Sequence, residues 1–220
     1  MDHRAEIARG FDRLAPVYDL LGDVAFLGRI RASQVALLPR LPPIQSALVL
    51  GGGTGRFLET LLRNNVARTA VSIDLSSGMT RETAARLTRS ELSTRADLRI
   101  GSLEHIRDGE TFDLIATHCF LDLFDDGELR AIVGRLDAAL NPGGLWLFSD
   151  FCIGRGVARQ AIVTTLYAFF GWTCSLRTRG LPNFDAAFRG IGLDELARER
   201  FALGLLEARL LRKPASKQGL

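Results

Sequence analysis

The chain has 220 residues, 47% of them hydrophobic and 24% charged, with a net charge of +3 and three cysteines. That length supports one domain with a sizeable core, and the composition excludes disordered and collagen-like classes. Only Lys213 and Lys217 are lysines, and the many arginines are interleaved with acids, so no basic patch points to nucleic acid. Cys119, Cys152 and Cys174 lie far apart without a CxxC or a His/Cys ligand spacing. That pattern argues against a disulfide framework or a metal site and fits a reducing cytoplasm. The opening MDHRAEIARG has no apolar segment of the secretory kind, and the most apolar stretch, residues 161–172, is too short to cross a bilayer.

Residues 4–38 read as two helices. Phe11, Leu14 and Ala15 give the first its apolar side. Leu21, Val24, Leu27, Ile30, Val35 and Leu38 are the positions expected to be buried on the second. Leu41-Pro42-Pro43 closes this segment. A regular alternation follows: strand 47–50, helix 55–64, strand 70–74, helix 77–89, strand 98–100, strand 112–117, a helix near 126–140, a turn at Asn141-Pro142-Gly143-Gly144, and strand 145–151. Strands alternating with helices imply a parallel sheet covered on both faces. Residues 155–171 look helical, 181–192 hold a short helix ending at glycine, and 193–213 read as two strands joined near Gly204. That hairpin adds an antiparallel edge. The expected organisation is one domain over 1–213, with an N-terminal helical cap (1–43), a helical lid insert (152–182) and a mobile tail from Pro214 to the end.

The densest signal is ALVLGGGTGRFLETLL, residues 47–62. A buried strand runs into four glycines in five positions and then into a helix. Glycine lets a ligand approach the backbone, and the free N–H groups of the first helical turn face it. Arg56 stands where a P-loop requires its final glycine and where a dinucleotide fingerprint requires its third, so neither applies. Asp74 ends the second strand. A carboxylate there can accept hydrogen bonds from both hydroxyls of a ribose. The plainer alternative is a cap for the helix starting near Ser77, but the distance from the glycine turn favours the ribose.

GGGTG after a strand, then Asp74, Ser76 and Met79 as D-x-S-x-x-M, then FDLI, then LNPGG before a strand, together resemble the class I S-adenosyl-L-methionine (SAM) methyltransferases over roughly residues 11–213. The resemblance implies a Rossmann-like α/β fold. Its seven-stranded, mostly parallel sheet has the order 3-2-1-4-5-7-6 with strand 7 antiparallel and helices on both faces. It implies SAM as cofactor, S-adenosyl-L-homocysteine as product, and direct methyl transfer by in-line displacement. FDRLAPVYDLL (11–21) is similar to the entry segment of the quinone-biosynthesis C-methyltransferases and related small-molecule enzymes, where it helps close the cofactor pocket; this points to Tyr18. By the same resemblance Gly51, Gly53, Thr54 and Gly55 line the methionine end, Asp74 holds the ribose, and Leu75 and Met79 lie by the adenine. Ser102 and Leu103 follow the third strand, where the family often has an adenine-binding aspartate. Val49 stands where the family often has an acid, two positions before the first glycine.

Methyl transfer requires alignment and exclusion of water, and a base only where the acceptor must lose a proton. His118, at the C-terminal end of the fourth strand, is a candidate base, or else lines the cofactor pocket. Asp122 is a second candidate, or else a helix cap. The apolar side chains of the insert (Ile162, Val163, Leu166, Tyr167, Phe169, Phe170 and Trp172) fit a lid over an apolar or aromatic acceptor, core packing, or a homodimer contact. Arg155, Arg159, Arg177 and Arg179 flank them and could meet an anionic group. The leading expectation is a cytoplasmic SAM-dependent methyltransferase acting on a small molecule. A SAM-binding protein without transfer is the second. An RNA or DNA methyltransferase is the third, and Thr117-His118-Cys119-Phe120 lacks its Asn/Asp-Pro-Pro-aromatic motif.

Overall fold

The computed structural model describes residues 8–12, 15, 18–152 and 181–215. The insert (including Cys174 and the four flanking arginines), Leu14 and the end of the tail, for which the sequence raises expectations, lie outside these residues. Seven strands form one sheet: β1 (Ile44–Leu50), β2 (Ala67–Asp74), β3 (Ala96–Ile100), β4 (Phe112–His118), β5 (Leu140–Phe151), β6 (Asp194–Phe201) and β7 (Leu206–Arg212). Their order is β3-β2-β1-β4-β5-β7-β6. The first five strands pair in parallel, and β7 is antiparallel to both β5 and β6. The topology expected from the sequence is the one observed.

The central strands are apolar because both faces are covered. On one side Leu58, Leu61 and Leu62 of α3 (Arg56–Arg63) and Leu87 of α4 (Ser77–Arg89) pack with Ala47 and Val49. On the other, Leu129, Val133 and Leu136 of α5 (Asp126–Ala139) and Phe184 and Phe188 of α6 (Phe184–Gly190) pack with Leu48, Leu50, Trp146 and Phe148. Trp146 Nε1 donates to Thr117 Oγ1 at 2.9 Å, so the one polar atom of this buried indole is satisfied. The chain leaves β1 toward β2 on one side and has β4 on the other. This switch point opens a crevice at the C-terminal ends of β1 and β4, where open α/β sheets bind ligands.

Two expectations need correction. The second N-terminal helix is broken: α1 (Tyr18–Phe26) and α2 (Arg29–Val35) are separated at Leu27 and Gly28, both with positive φ (49° and 72°). The break rotates the apolar stripe, leaving Val24 and Leu27 68% and 86% exposed instead of buried. Asn141–Gly144 is not a free turn before the fifth strand. It is a bulge within β5, which pairs with β4 through Leu140 and resumes at Leu145. The bulge is tied down by Gly143 N–H to Lys213 O and Lys213 N–H to Gly144 O.

The edge strand β6 is charged along its length, which discourages further strand addition. Beside it, buried Arg209 pairs with buried Glu207 and with Asp185 (2.5 Å), and its guanidinium lies 5.5 Å from the Phe148 ring centroid. Removing one partner of a buried pair leaves an uncompensated charge. Glu207→Ala should therefore destabilise the fold by about 3 kcal/mol in urea titrations. A loss below about 1 kcal/mol would show that the pair carries little of the stability of this edge.

Candidate functional site

The crevice is lined first by the turn between β1 and α3. Gly51, Gly53 and Gly55 adopt φ of 61°, 55° and 79°, a region open to glycine at little cost. Their surroundings differ. A β-carbon at Gly55 would stand 2.7 Å from Thr83, and one at Gly52 would stand 2.5 Å from Ser72 Oγ; these glycines permit close packing. A β-carbon at Gly53 would meet nothing within 4 Å, so this residue faces open space.

Asp74 reaches across to this turn. One carboxylate oxygen accepts from Gly53 N–H at 2.9 Å, the other from Ser76 N–H at 2.8 Å. Burial, reinforced by the nearby Asp12 carboxylate, pushes the Asp74 carboxyl up to about 6 despite these two N–H groups. The helix cap is Ser76, whose hydroxyl accepts from Met79 N–H. Asp74 is therefore not the cap, and it retains lone pairs for further donors.

The N-terminal segment is fastened over the turn by acids. Asp12, in the helical stretch 8–12, accepts from Ser76 Oγ (2.6 Å) and Gly78 N–H (2.7 Å) at the start of α4. These contacts hold its carboxyl below its usual value against the opposing effect of burial. Gly78 lets the two segments approach closely, since a β-carbon would stand 3.1 Å from the Asp12 backbone. Asp19 of α1 accepts from Thr54 Oγ1 (2.6 Å) and pairs with Arg56 (2.7 Å) and Arg86 (3.0 Å), while Asp23 pairs with Arg56 (2.6 Å). Arg86 Nε also donates to Thr54 O. The arginine that rules out the phosphate fingerprints thus anchors the cap to the first turn of α3.

The far wall is built by the ends of β4 and β5. His118 is 6% exposed; neither ring nitrogen has a hydrogen-bond partner among the described residues, and Phe57 meets its ring edge-on at 4.2 Å. Burial pulls its pKa down to about 3, so the imidazole is neutral. The next turn is organised by Asp150, which is fully buried. Its Oδ2 accepts from the N–H groups of Phe120 (3.3 Å), Leu121 (3.1 Å) and Asp122 (3.3 Å), and its Oδ1 from Phe151 N–H (2.9 Å). Burial, and then the Asp122 carboxyl hydrogen-bonded to it, push Asp150 well above the usual carboxylate range. Burial and these two acids also raise the Cys119 thiol, keeping it protonated. The cap of α5 is Asp125, in a capping box with Glu128, so Asp122 does not fill that role.

The structure brings Gly51, Gly53, Thr54, Gly55, Asp74, His118 and Asp122 to one end of the sheet. Tyr18 opens α1, half-buried and edge-on to Phe11 at 6.1 Å. Leu75 is half-buried on the loop after β2, and Met79 is buried in the first turn of α4. Ser102 donates to Glu104 and Leu103 packs on the core, both just beyond β3. Val49 is 2% exposed within the apolar layer. Sequence reading missed Asp12, Asp19 and Asp150. Asp12 and Asp19 lie inside the FDRLAPVYD stretch, which was a usable signal. Asp150 has none, because three of its four N–H partners lie some 30 residues away in sequence.

Residues 47–144 match a family model described as a methyltransferase domain. No curated protein sequence matches the chain. Among solved structures, the mitomycin 7-O-methyltransferase MmcR superposes with a TM-score of 0.64 at 21% identity, over 85% of this chain and 54% of that one. An O-methyltransferase family 2 protein from Planctomyces limnophilus, in complex with apigenin, gives 0.63 at 16% identity, over 87% and 65%. The N-methyltransferase NodS from Bradyrhizobium japonicum, in complex with S-adenosyl-L-homocysteine, gives 0.61 at 14% identity, over 84% of each chain. The chain therefore spans about half the length of MmcR, and at these identities the likeness is one of fold.

The docking of the N-terminal segment is open to test. Asp12→Ala removes the acceptor shared by Ser76 and Gly78 and should raise the rate of tryptic cleavage after Arg9 several-fold in limited proteolysis. An unchanged rate would mean that other contacts hold the segment.

Proposed function

We propose that this chain, which carries a methyltransferase domain on the class I SAM-methyltransferase fold, transfers a methyl group from SAM to a small, apolar or aromatic acceptor. The observation that carries this reading is the pairing of Asp74, at the end of β2, with Gly53, in the turn after β1, which sets a carboxylate beside a glycine facing open space. The residues present suit the cofactor. Asp74 keeps acceptor capacity for the ribose hydroxyls. Gly51, Gly53 and the first turn of α3 offer backbone for the methionine end. Leu75, Met79, Ser102 and Leu103 are proposed to border the adenine, and Tyr18 to close the pocket from the cap. The cofactor, when bound, supplies a methyl carbon made electrophilic by its sulfonium.

The acceptor proposal draws on the aromatic rings near the ends of β4 and β5. Phe26 lies 5.4 Å from Phe151, Phe57 lies against His118, and Phe120 lies 5.2 Å from Phe124. Mitomycin and apigenin, named with two structural relatives, are small ring compounds. In this reading His118 lines the pocket as a neutral imidazole and does not store a proton, because its burial disfavours the cation. Asp122, hydrogen-bonded to Asp150, is the carboxylate proposed to take a proton from a hydroxyl or amine acceptor.

SAM should raise the melting temperature, as any ligand of the native state does. Asp74→Ala should weaken SAM binding by about a hundredfold in calorimetry, the loss of charge-assisted hydrogen bonds to two hydroxyls. Equal affinity in the variant would remove Asp74 from the cofactor site. Transfer of label from SAM to a panel of phenols, abolished in Asp122→Asn with SAM binding intact, would establish the acceptor class and the base together.

A further inference from the structure

His118 is buried, yet neither ring nitrogen is hydrogen-bonded among the described residues. Buried polar groups of a native fold normally find partners, so an imidazole left open on both sides calls for a reason. Side chains alternate along a strand, and His118 follows Leu114 and Ala116 on one face of β4, facing the apolar layer they belong to. Leu145, Leu147 and Ser149 line the same face of β5, and Ser149 is the register partner of His118. The two polar residues therefore lie side by side, one interstrand spacing apart. Phe57 of α3 meets the imidazole edge-on.

Ser149 is fully buried, and its hydroxyl lies 2.7 Å from the hydroxyl of Ser33 on α2. Either oxygen could donate in that contact alone. Ser33 Oγ, however, also donates to Ile30 O at 2.7 Å, and a carbonyl can only accept. The single proton of Ser33 is committed there, so Ser149 is the donor to Ser33. Ser149 is then left with lone pairs and no proton to give. Its complete burial closes these lone pairs to any ligand. The neighbouring group that can answer them is the N–H of the neutral His118 ring.

We infer that Ser33 and Ser149 are positioning residues that set the tautomer of His118: the ring turns its one N–H to Ser149 Oγ and keeps its other nitrogen bare for the methyl acceptor. Which nitrogen of an imidazole carries the proton is decided by the partner of the other. The donors then run in one direction, from His118 to Ser149 to Ser33 to Ile30 O. Of the three side chains His118 is the most open, at 6% exposure against 1% for Ser33 and 0% for Ser149. A bare nitrogen accepts and cannot donate. It selects a hydroxyl or N–H on a neutral ring compound and disfavours a carboxylate, which has no proton to offer. The contact holds and orients the acceptor, while Asp122 remains the base proposed for the group that is methylated. Because Ser33 belongs to the N-terminal cap, the cap bears on which acceptor is taken. The ligand class rests on the methyl-transfer reading above; the tautomer does not.

The test is nitrogen NMR of the full chain with ring-labelled histidine near neutral pH. The chain has three histidines, and His3→Gln and His105→Gln identify the signals that are not His118. His118 should give one protonated and one bare nitrogen, well separated. Ser149→Ala should draw the two signals toward their mean as the tautomers interconvert, and Ser33→Ala should do so to a smaller extent, with folding of both variants checked by circular dichroism. Signals already averaged in the wild type, or unchanged in Ser149→Ala, overturn the positioning role. Phenol and benzoate are then titrated with S-adenosyl-L-homocysteine present. Phenol should shift the bare-nitrogen signal and benzoate should leave it in place. An equal response to both, or none to phenol, overturns the ligand class. Calorimetry of S-adenosyl-L-homocysteine on the same folded sample keeps the cofactor reading separate: no binding refutes that reading, and the His118 signals still decide the tautomer.

Discussion

The site depends on one carboxylate. Asp74 ends β2, yet its two oxygens bind the backbone of two different turns: Gly53, in the turn after β1, and Ser76, at the head of α4. This bridge ties two adjacent parallel strands to the helix starts that follow them. It also carries a cost. A partly buried carboxylate raised to about 6 is harder to ionise in the folded chain than in the unfolded one. Between about pH 4 and pH 6 the folded state therefore holds this proton more tightly, and the contribution of Asp74 to stability weakens as pH rises through that window. A ligand that donates hydrogen bonds to Asp74 relieves that cost, which is why an unfavourable group can persist at a binding site.

The cap and the far wall repeat the device of a short-range acid acting over a long sequence distance. Asp12 reaches the head of α4, Asp19 reaches Thr54 and Arg86, and Asp150 reaches the turn after β4. Each acid accepts from backbone or hydroxyl groups at an element end that would otherwise lack partners. The sheet sets the strand ends side by side, and these acids shape the loops that leave them. Fold and site are built separately: apolar layers on the two faces, and carboxylates along one edge.

This separation explains what could be read from the sequence. The strands were legible because their burial makes them continuous apolar runs, and the cradle because four glycines in five positions have few other uses. Asp74 was legible through its distance from that cradle. The strand order came from the resemblance and not from the pattern of residues, since pairing is a long-range property. The break at Leu27 and Gly28 was missed because a helical apolar period continues across it in sequence while the backbone does not. Asn-Pro-Gly-Gly reads as a turn, and its place inside β5 was hidden because both of its hydrogen bonds are made with Lys213, just beyond β7 and far along the chain. For Asp122 the sequence offered a cap or a base. The capping box at Asp125 settles the first alternative against it, and its hydrogen bond to Asp150 is what the sequence could not contain.

The central claim is that Asp74 receives the cofactor. It is tested most directly by the protons exchanged on binding: calorimetry of SAM at pH 6 in buffers of differing ionisation enthalpy. A carboxyl near its midpoint that becomes fully ionised against two hydroxyls should release about half a proton per SAM bound, and the release should vanish at pH 8. Binding with no proton release at pH 6 would contradict the account.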